Sequence, residues 1–288
     1  MVVMKRIILF LATNLAIMLT LSIVLSILGI DGYGGLQGQL LFCLVWGMGG
    51  AFISLQMSRF VAKQAMGVQL VDGRTGHADL DWLHGTVRQI TDRAGLPMPE
   101  VGFYESPEVN AFATGPSKSR SLVAVSTGLL RTMSRDEVEG VLAHEVAHIA
   151  NGDMVTMTLI QGVVNAFVMF FARVIASVLR NAVDERMSGV VYFITVIVLQ
   201  IVLGLAGSMV VAWFSRAREF RADAGAATLS GRDKMIAALE RLQRTTKMIE
   251  NEHPALATMK ISGSAGWLAL LSTHPPLEAR IAALREAR

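Results

Sequence analysis

Charge and cysteine are the scarce ingredients of this chain. Charged residues occupy 17% of 288 positions, and the one cysteine, Cys43, lies within an apolar run. A single thiol forms no internal disulfide and no cysteine-built zinc cluster, so Cys43 reads as a small apolar residue. That scarcity suits a reducing compartment for any soluble portion. Basic runs interleaved with aromatics are also missing, so the net charge of +3 leaves no nucleic-acid footprint. No G-x-x-x-x-G-K-S/T motif occurs, so the chain carries no ATP phosphate loop of that type. There is no internal repeat and no low-complexity tract.

Hydrophobicity takes their place. Apolar residues make up 52% of the chain and the mean hydropathy is +0.48, which points to a membrane protein. Four apolar stretches are long enough to span a bilayer. The first runs from Ile7 to Leu28, ~33 Å as a helix against a hydrocarbon core of ~30 Å. A signal peptide is the competing reading, disfavoured by the length of the stretch and the lack of a small-residue cleavage site. The second runs from Leu36 to Met57, joined to the first by the turn Gly29–Gly35. The third (Thr156–Leu179) and fourth (Val190–Phe214) form a second hairpin. Gln161, Asn165 and Arg173 make the third less pure, and a charge at that depth must snorkel or face protein.

Lysine and arginine placement orients these spans. Lys5 and Arg6 precede the first; Arg59 and Lys63 follow the second; Arg216, Arg218 and Arg221 follow the fourth. The first turn has Asp31 and no basic residue, whereas Arg180 and Arg186 in the second are balanced by Asp184 and Glu185. The positive-inside rule then puts both termini in the cytoplasm. Residues 1–58 form one transmembrane hairpin and residues 156–214 another. Residues 59–155 and 215–288 are left as two parts of one cytoplasmic domain.

Within that domain, a helix is expected from Asp79 to Arg93, stopped by Gly95 and Pro97. Val101–Tyr104 and Ser121–Ser126 are β-prone, with Asn110-Ala111-Phe112-Ala113-Thr114-Gly115 between them. Ser134 and Glu137 fit a capping box that opens a helix running to Ala150. A further helix is expected from Asp233 to Glu250, and a last one begins at Pro275-Pro276.

The capped helix carries His144-Glu145-Val146-Ala147-His148. Spacing of four puts both imidazoles on one helical face, where they can share one metal at ~2.0–2.1 Å per nitrogen. Glu145 is then placed to take a proton from the attacking water and deliver it to a leaving amine. The bland alternative is an exposed helix with two histidines, but Val141, Leu142, Val146, Ala147 and Ile149 imply burial, and buried histidines need partners. A catalytic zinc needs a third ligand. Glu219 is a candidate, with Asp223 one turn on to accept the outer N–H of a ligating histidine, most simply His144. A surface salt-bridge cluster with Arg216, Arg218 and Arg221 is the alternative. Asn110 is either a turn residue or a binder of substrate backbone. Leu122-Val123-Ala124-Val125 is either an ordinary buried strand or one whose Val123 and Ala124 pair with an extended substrate. His77, His84 and His253 match no motif and read as surface or packing residues.

Together the amino-terminal hairpin, Asn110–Gly115, His144–Asp153, Phe214–Asp223 and Thr273-His274-Pro275-Pro276 resemble the membrane members of the gluzincin metalloproteases. That family includes bacterial heat-shock proteases and the CaaX prenyl-protein endoproteases. The resemblance implies that His144, His148 and Glu219 bind one Zn2+ and that Glu145 is the base. It also implies that His274 and Arg280 stabilise the tetrahedral oxyanion; the residues alone allow a helix start and a solvated helix face. The fold it implies is α+β, mainly helical: about four transmembrane helices and a zincin-like protease domain with a small β-sheet. As partners it implies the lipid bilayer of a bacterial inner membrane, misfolded or damaged membrane proteins as substrates, and an ATP-dependent membrane protease. The competing readings are a processing protease for lipidated peptides and a non-catalytic metal-binding membrane scaffold.

Overall fold

Long apolar runs become long helices. The computed structural model describes residues 35–252 and 271–287. Among them, three helices are long and apolar enough to cross a membrane: α1 (Gly35–Met66), α5 (Asp153–Arg180) and α6 (Glu185–Ser230). The expected first span, Ile7–Leu28, lies outside the described residues. The remaining elements are β1 (Gln69–Val71), α2 (Ala78–Arg93), β2 (Glu100–Tyr104), β3 (Ala111–Ser117), β4 (Arg120–Ser126), α3 (Thr127–Thr132), α4 (Arg135–Asn151), α7 (Arg232–Glu252) and α8 (Leu277–Glu286).

Among the described residues two compact units divide the chain: 35–53 with 157–213, and 54–156 with 214–252 and 271–287. In the first, Cys43, Val168 and Met169 form a buried cluster covered by Phe42, Trp46, Val164, Phe170 and Leu203. Gly47 is required there, because a Cβ would meet the Ala166 backbone at 2.8 Å. Arg173 is buried, with its guanidinium 5.6 Å from the centre of the Phe42 ring, so this charge faces protein.

The second unit is built on a four-stranded mixed sheet ordered β1-β2-β4-β3. β2 and β4 run parallel; β1 and β3 are the antiparallel flanks. One core gathers Leu83, Val87 and Ile90 of α2, Val123 and Val125 of β4, and Leu142, Val146 and Ile149 of α4. Helix α4 begins as its sequence dictates. The Ser134 hydroxyl accepts from Glu137 N, and Ser134 N donates to Glu137 Oε2 at 2.8 Å. Gly140 lets α7 come close, since a Cβ there would sit 2.5 Å from Lys234 O.

The fourth apolar stretch ends near Phe214, and α6 continues unbroken past it to Ser230, so Glu219 and Asp223 lie on the same helix. Arginines end a hydrophobic span without ending a helix, because they are good helix formers. The expectation that needs correction is substrate pairing. Val123 pairs with both Val101 and Ala113, and Ala124 with both Gly102 and Phe112. Both edges of β4 are therefore occupied, and these residues are fully buried, so β4 cannot take an added strand.

Candidate active site

Helices α4, α6 and α8 supply the candidate metal ligands and most of their supports, and the first residue of α5 supplies another. His144 and His148 lie on the buried face of α4, while Glu145 between them is half-buried. Helix α6 comes close to α4 where Gly225 packs on Ala147; a Cβ on Gly225 would be 2.9 Å from the Ala147 Cβ. On the same face of α6, Glu219 and Asp223 are fully buried, flanked by buried Ala222 and Ala226. The third element is α8, which brings Arg280 inward.

The ligand atoms converge. His144, His148 and Glu219 each offer one atom within 4.8 Å of the other two. The two Nε2 atoms are 3.1 Å apart. Glu219 Oε1 lies 3.3 Å from His148 Nε2, and Oε2 lies 3.5 Å from His144 Nε2. The outer nitrogens face acids instead: His144 Nδ1 is 2.9 Å from Asp223 Oδ1, and His148 Nδ1 is 2.6 Å from Asp153 Oδ2. Each carboxylate accepts from Nδ1–H, so that in the neutral imidazole the proton sits on Nδ1 and Nε2 is the atom that can offer a lone pair to a metal. Glu219 Oε1 is buried without a hydrogen-bond partner. Two imidazole Nε2 atoms and an orphaned carboxylate oxygen facing one point are the donor set a divalent metal completes.

Electrostatics agree with that reading. Burial opposes charge on His144, but hydrogen bonds to Asp223 and Glu219 win and raise it to about 9. Burial likewise opposes ionisation of Glu219, yet contacts with His144, His148 and His274 hold it far below the usual carboxylate range. For Asp223, burial is overcome first by Arg280 and then by His144, and its pKa is lowered. Such a pocket attracts positive charge.

The other expected residues fall at varied distances from this centre. His274 Nδ1 is 2.9 Å from Glu219 Oε2, and its side chain is 64% exposed. Arg216 Nη1 donates to Ser272 O at 2.7 Å, tying the segment before His274 to α6. Arg280 is no solvated helix face: it is buried and forks onto Asp223, with Nε at 2.7 Å and Nη2 at 2.6 Å. Only its Nη1 approaches Glu219, at 3.4 Å. Asn110 sits just before β3, and its Nδ2 donates to the Tyr104 hydroxyl at 2.9 Å. Val123 and Ala124 are sheet interior, as described above.

Two residues escaped the sequence reading. Asp153 follows Gly152, which closes α4 in the left-handed conformation at φ +69°. That one-residue break turns the first residue of α5 back onto His148. Its second oxygen accepts from Arg221 Nη2 at 2.7 Å. A Gly-Asp pair one turn beyond the second histidine was the available signal. Arg221 had been counted among the charges that orient the spans.

Residues 77–288 match the family described as Peptidase family M48. Protease HtpX of Aeromonas salmonicida (strain A449) is 55% identical over 293 residues, covering 98% of this chain and 100% of that protein. Protease HtpX of Idiomarina loihiensis (strain ATCC BAA-735 / DSM 15497 / L2-TR) is 53% identical over 291 residues, covering 99% and 100%. The crystal structure of S. mikatae Ste24p shares the fold, with a TM-score of 0.62 at 18% identity over 96% of this chain and 67% of that one. With a buried His-Glu-x-x-His and Glu metal site and near-complete coverage by these relatives, this chain belongs to peptidase family M48 and is a metalloprotease.

Proposed function

We propose that this metalloprotease is a zinc-dependent membrane endopeptidase that hydrolyses peptide bonds in misfolded or damaged membrane proteins, as part of quality control under heat or envelope stress. The observation that carries the reading is the convergence of two Nε2 atoms and the orphaned Glu219 oxygen beside half-buried Glu145. Nitrogen and oxygen donors of this kind, with three protein ligands and an open position, suit zinc. The relatives named Protease HtpX and the candidate membrane helices support the membrane setting.

His144, His148 and Glu219 would hold a zinc ion, which when bound would supply Lewis acidity for the scissile carbonyl and the attacking water. Glu145 takes the proton of that water and returns it to the leaving amine. His274, exposed beside Glu219, is the donor for the developing oxyanion. Arg280 acts mainly through Asp223, with Nη1 3.4 Å from Glu219 and Nη2 3.4 Å from His144 Nδ1. The substrate lies extended along β3, whose outer edge is unpaired among the described residues, with Asn110 at its head. Both termini and the site face the cytoplasm of a bacterial inner membrane. An ATP-dependent membrane protease is the functional partner that takes up substrate extraction.

The test compares purified wild type with Glu145→Ala, each with zinc and after chelation, on an unfolded membrane-protein loop and on a prenylated peptide. Wild type should cut the loop only with zinc, and the variant should bind zinc without cutting. Full proteolysis by Glu145→Ala would sink the mechanism. Preference for the prenylated peptide would replace the substrate class, and zinc binding without cleavage of either substrate would favour the scaffold reading.

A further inference from the structure

Asp153 and Arg221 stand outside the ligand set, yet both bear on it. The Asp153 carboxylate is buried and both of its oxygens are committed, Oδ2 to His148 Nδ1 at 2.6 Å and Oδ1 to Arg221 Nη2 at 2.7 Å. An aspartate in the first turn of a helix commonly serves the helix itself, by bonding its first backbone N–H groups. Asp153 does not: among the described residues its carboxylate bonds side chains of α4 and α6 instead. Arg221 is largely exposed, and its guanidinium reaches inward to a group that is nearly inaccessible. Gly152 makes the approach possible, because its left-handed backbone separates Asp153 from His148 by a single break.

We infer that Asp153 and Arg221 are positioning residues for His148. Asp153 accepts from Nδ1 and holds the ring turned so that Nε2 points to the side where Glu219 lies. Arg221 acts through Asp153, holding its carboxylate in the rotamer that meets His148. The arrangement mirrors Arg280, Asp223 and His144 on the other side of the site, so each histidine has its own acid and each acid its own arginine. The inference rests on His144, His148 and Glu219 being the metal ligands. Removing the partner of a ligating histidine typically weakens metal binding 10–100-fold.

Zinc affinity, not proteolysis, is the readout. Full-length protein in detergent is stripped of metal and titrated with zinc against a chromogenic chelator, with cobalt(II) absorption reporting ligand geometry. Asp153→Asn should bind zinc about 10–100-fold more weakly and shift the cobalt spectrum. Arg221→Ala should lose less, with Arg221→Lys recovering part of that loss. In the Asp153→Asn background, Arg221→Ala should add nothing, since its route to the metal is already cut. An Asp153→Asn protein with wild-type zinc affinity and spectrum overturns the inference. Multiplying losses in the double variant overturn the route through Asp153. If Asp153→Asn fails to fold, Arg221→Ala decides alone, and unchanged affinity there refutes the pair. Wild type that binds no zinc would instead remove the ligand set on which the inference stands.

Discussion

Arg280 offers the sharpest separation between a residue that holds the site together and one that reacts. The residue is 6% exposed, and its guanidinium takes both oxygens of Asp223, itself 2% exposed, at 2.6–2.7 Å. Arg280→Ala leaves that carboxylate buried without its main cation. Breaking a buried pair from one side costs about 3–5 kcal/mol. At about 2–4 °C per kcal/mol for a domain of this size, the metal-free protein should melt on the order of 6–20 °C lower. Tryptophan fluorescence in detergent, ramped at one fixed rate, measures this; the fixed rate matters because membrane proteins often unfold irreversibly. Arg280→Lys keeps the charge and loses the fork, so it should fall between. Adding Asp223→Ala to Arg280→Ala should restore part of the loss, because the uncompensated charge is gone. If Arg280→Ala melts with wild type while kcat drops about 10²–10³-fold, the clamp is unimportant and Arg280 is an oxyanion donor after all.

Other consequences follow from the same geometry. His144 is raised to about 9 in the metal-free protein, so its charged form persists up to that pH and is lost above it. A ligating imidazole must be neutral, so metal binding at neutral pH should release a proton, and affinity should climb with pH and level off above about 9. Calorimetry in buffers of different ionisation enthalpy reads this directly; heats independent of buffer at ~pH 7 would refute it. Gly115 sits at φ +145°, and a Cβ there would collide with the Arg120 carbonyl and the Ser121 Cα. Gly115→Ala should therefore cost more than the about 1–3 kcal/mol of backbone strain alone, and an unchanged melting temperature would contradict the β3–β4 geometry. Gly152→Ala meets no atom within 4 Å at φ +69°, so its fold penalty should stay near about 1–2 kcal/mol, measured by the same melt.

Particular residues show why some of this was legible and some was not. Helix α4 and its histidines could be read because the capping box and the four-residue spacing are local signals. Glu219 and Asp223 were found for the same reason, being one turn apart on one helix. Strand β3 was harder: Ala111-Phe112-Ala113-Thr114-Gly115-Pro116-Ser117 has weak β propensity and contains two turn residues, so only pairing with β4 makes it a strand. The substrate-pairing reading of β4 overlooked its pattern. Leu122-Val123-Ala124-Val125 is continuously apolar rather than alternating, as expected of a strand covered on both faces and placed inside a sheet. Asp153 carried only the local Gly-Asp signal five positions past His148, whereas Arg221 was invisible because its meaning lies in a contact across 68 positions and an arginine beyond an apolar stretch already had an explanation in membrane orientation.

Charge at the site ties these pieces into one requirement. Glu145, Asp153, Glu219 and Asp223 bring four carboxylates into or beside the cluster, and Arg221 and Arg280 bond to two of them. Two negative charges remain, with Arg218 approaching Glu219 only to 3.9 Å. Such an excess is costly to bury, and the protein has two ways to meet it. A proton on His144 answers part of it in the metal-free state, which is why that imidazole is raised despite burial. A divalent cation answers all of it while satisfying the orphaned Glu219 oxygen. Proton and metal are thus alternative occupants of one electrostatic well, and the two acid–arginine pairs keep the imidazole nitrogens turned toward it whichever is present.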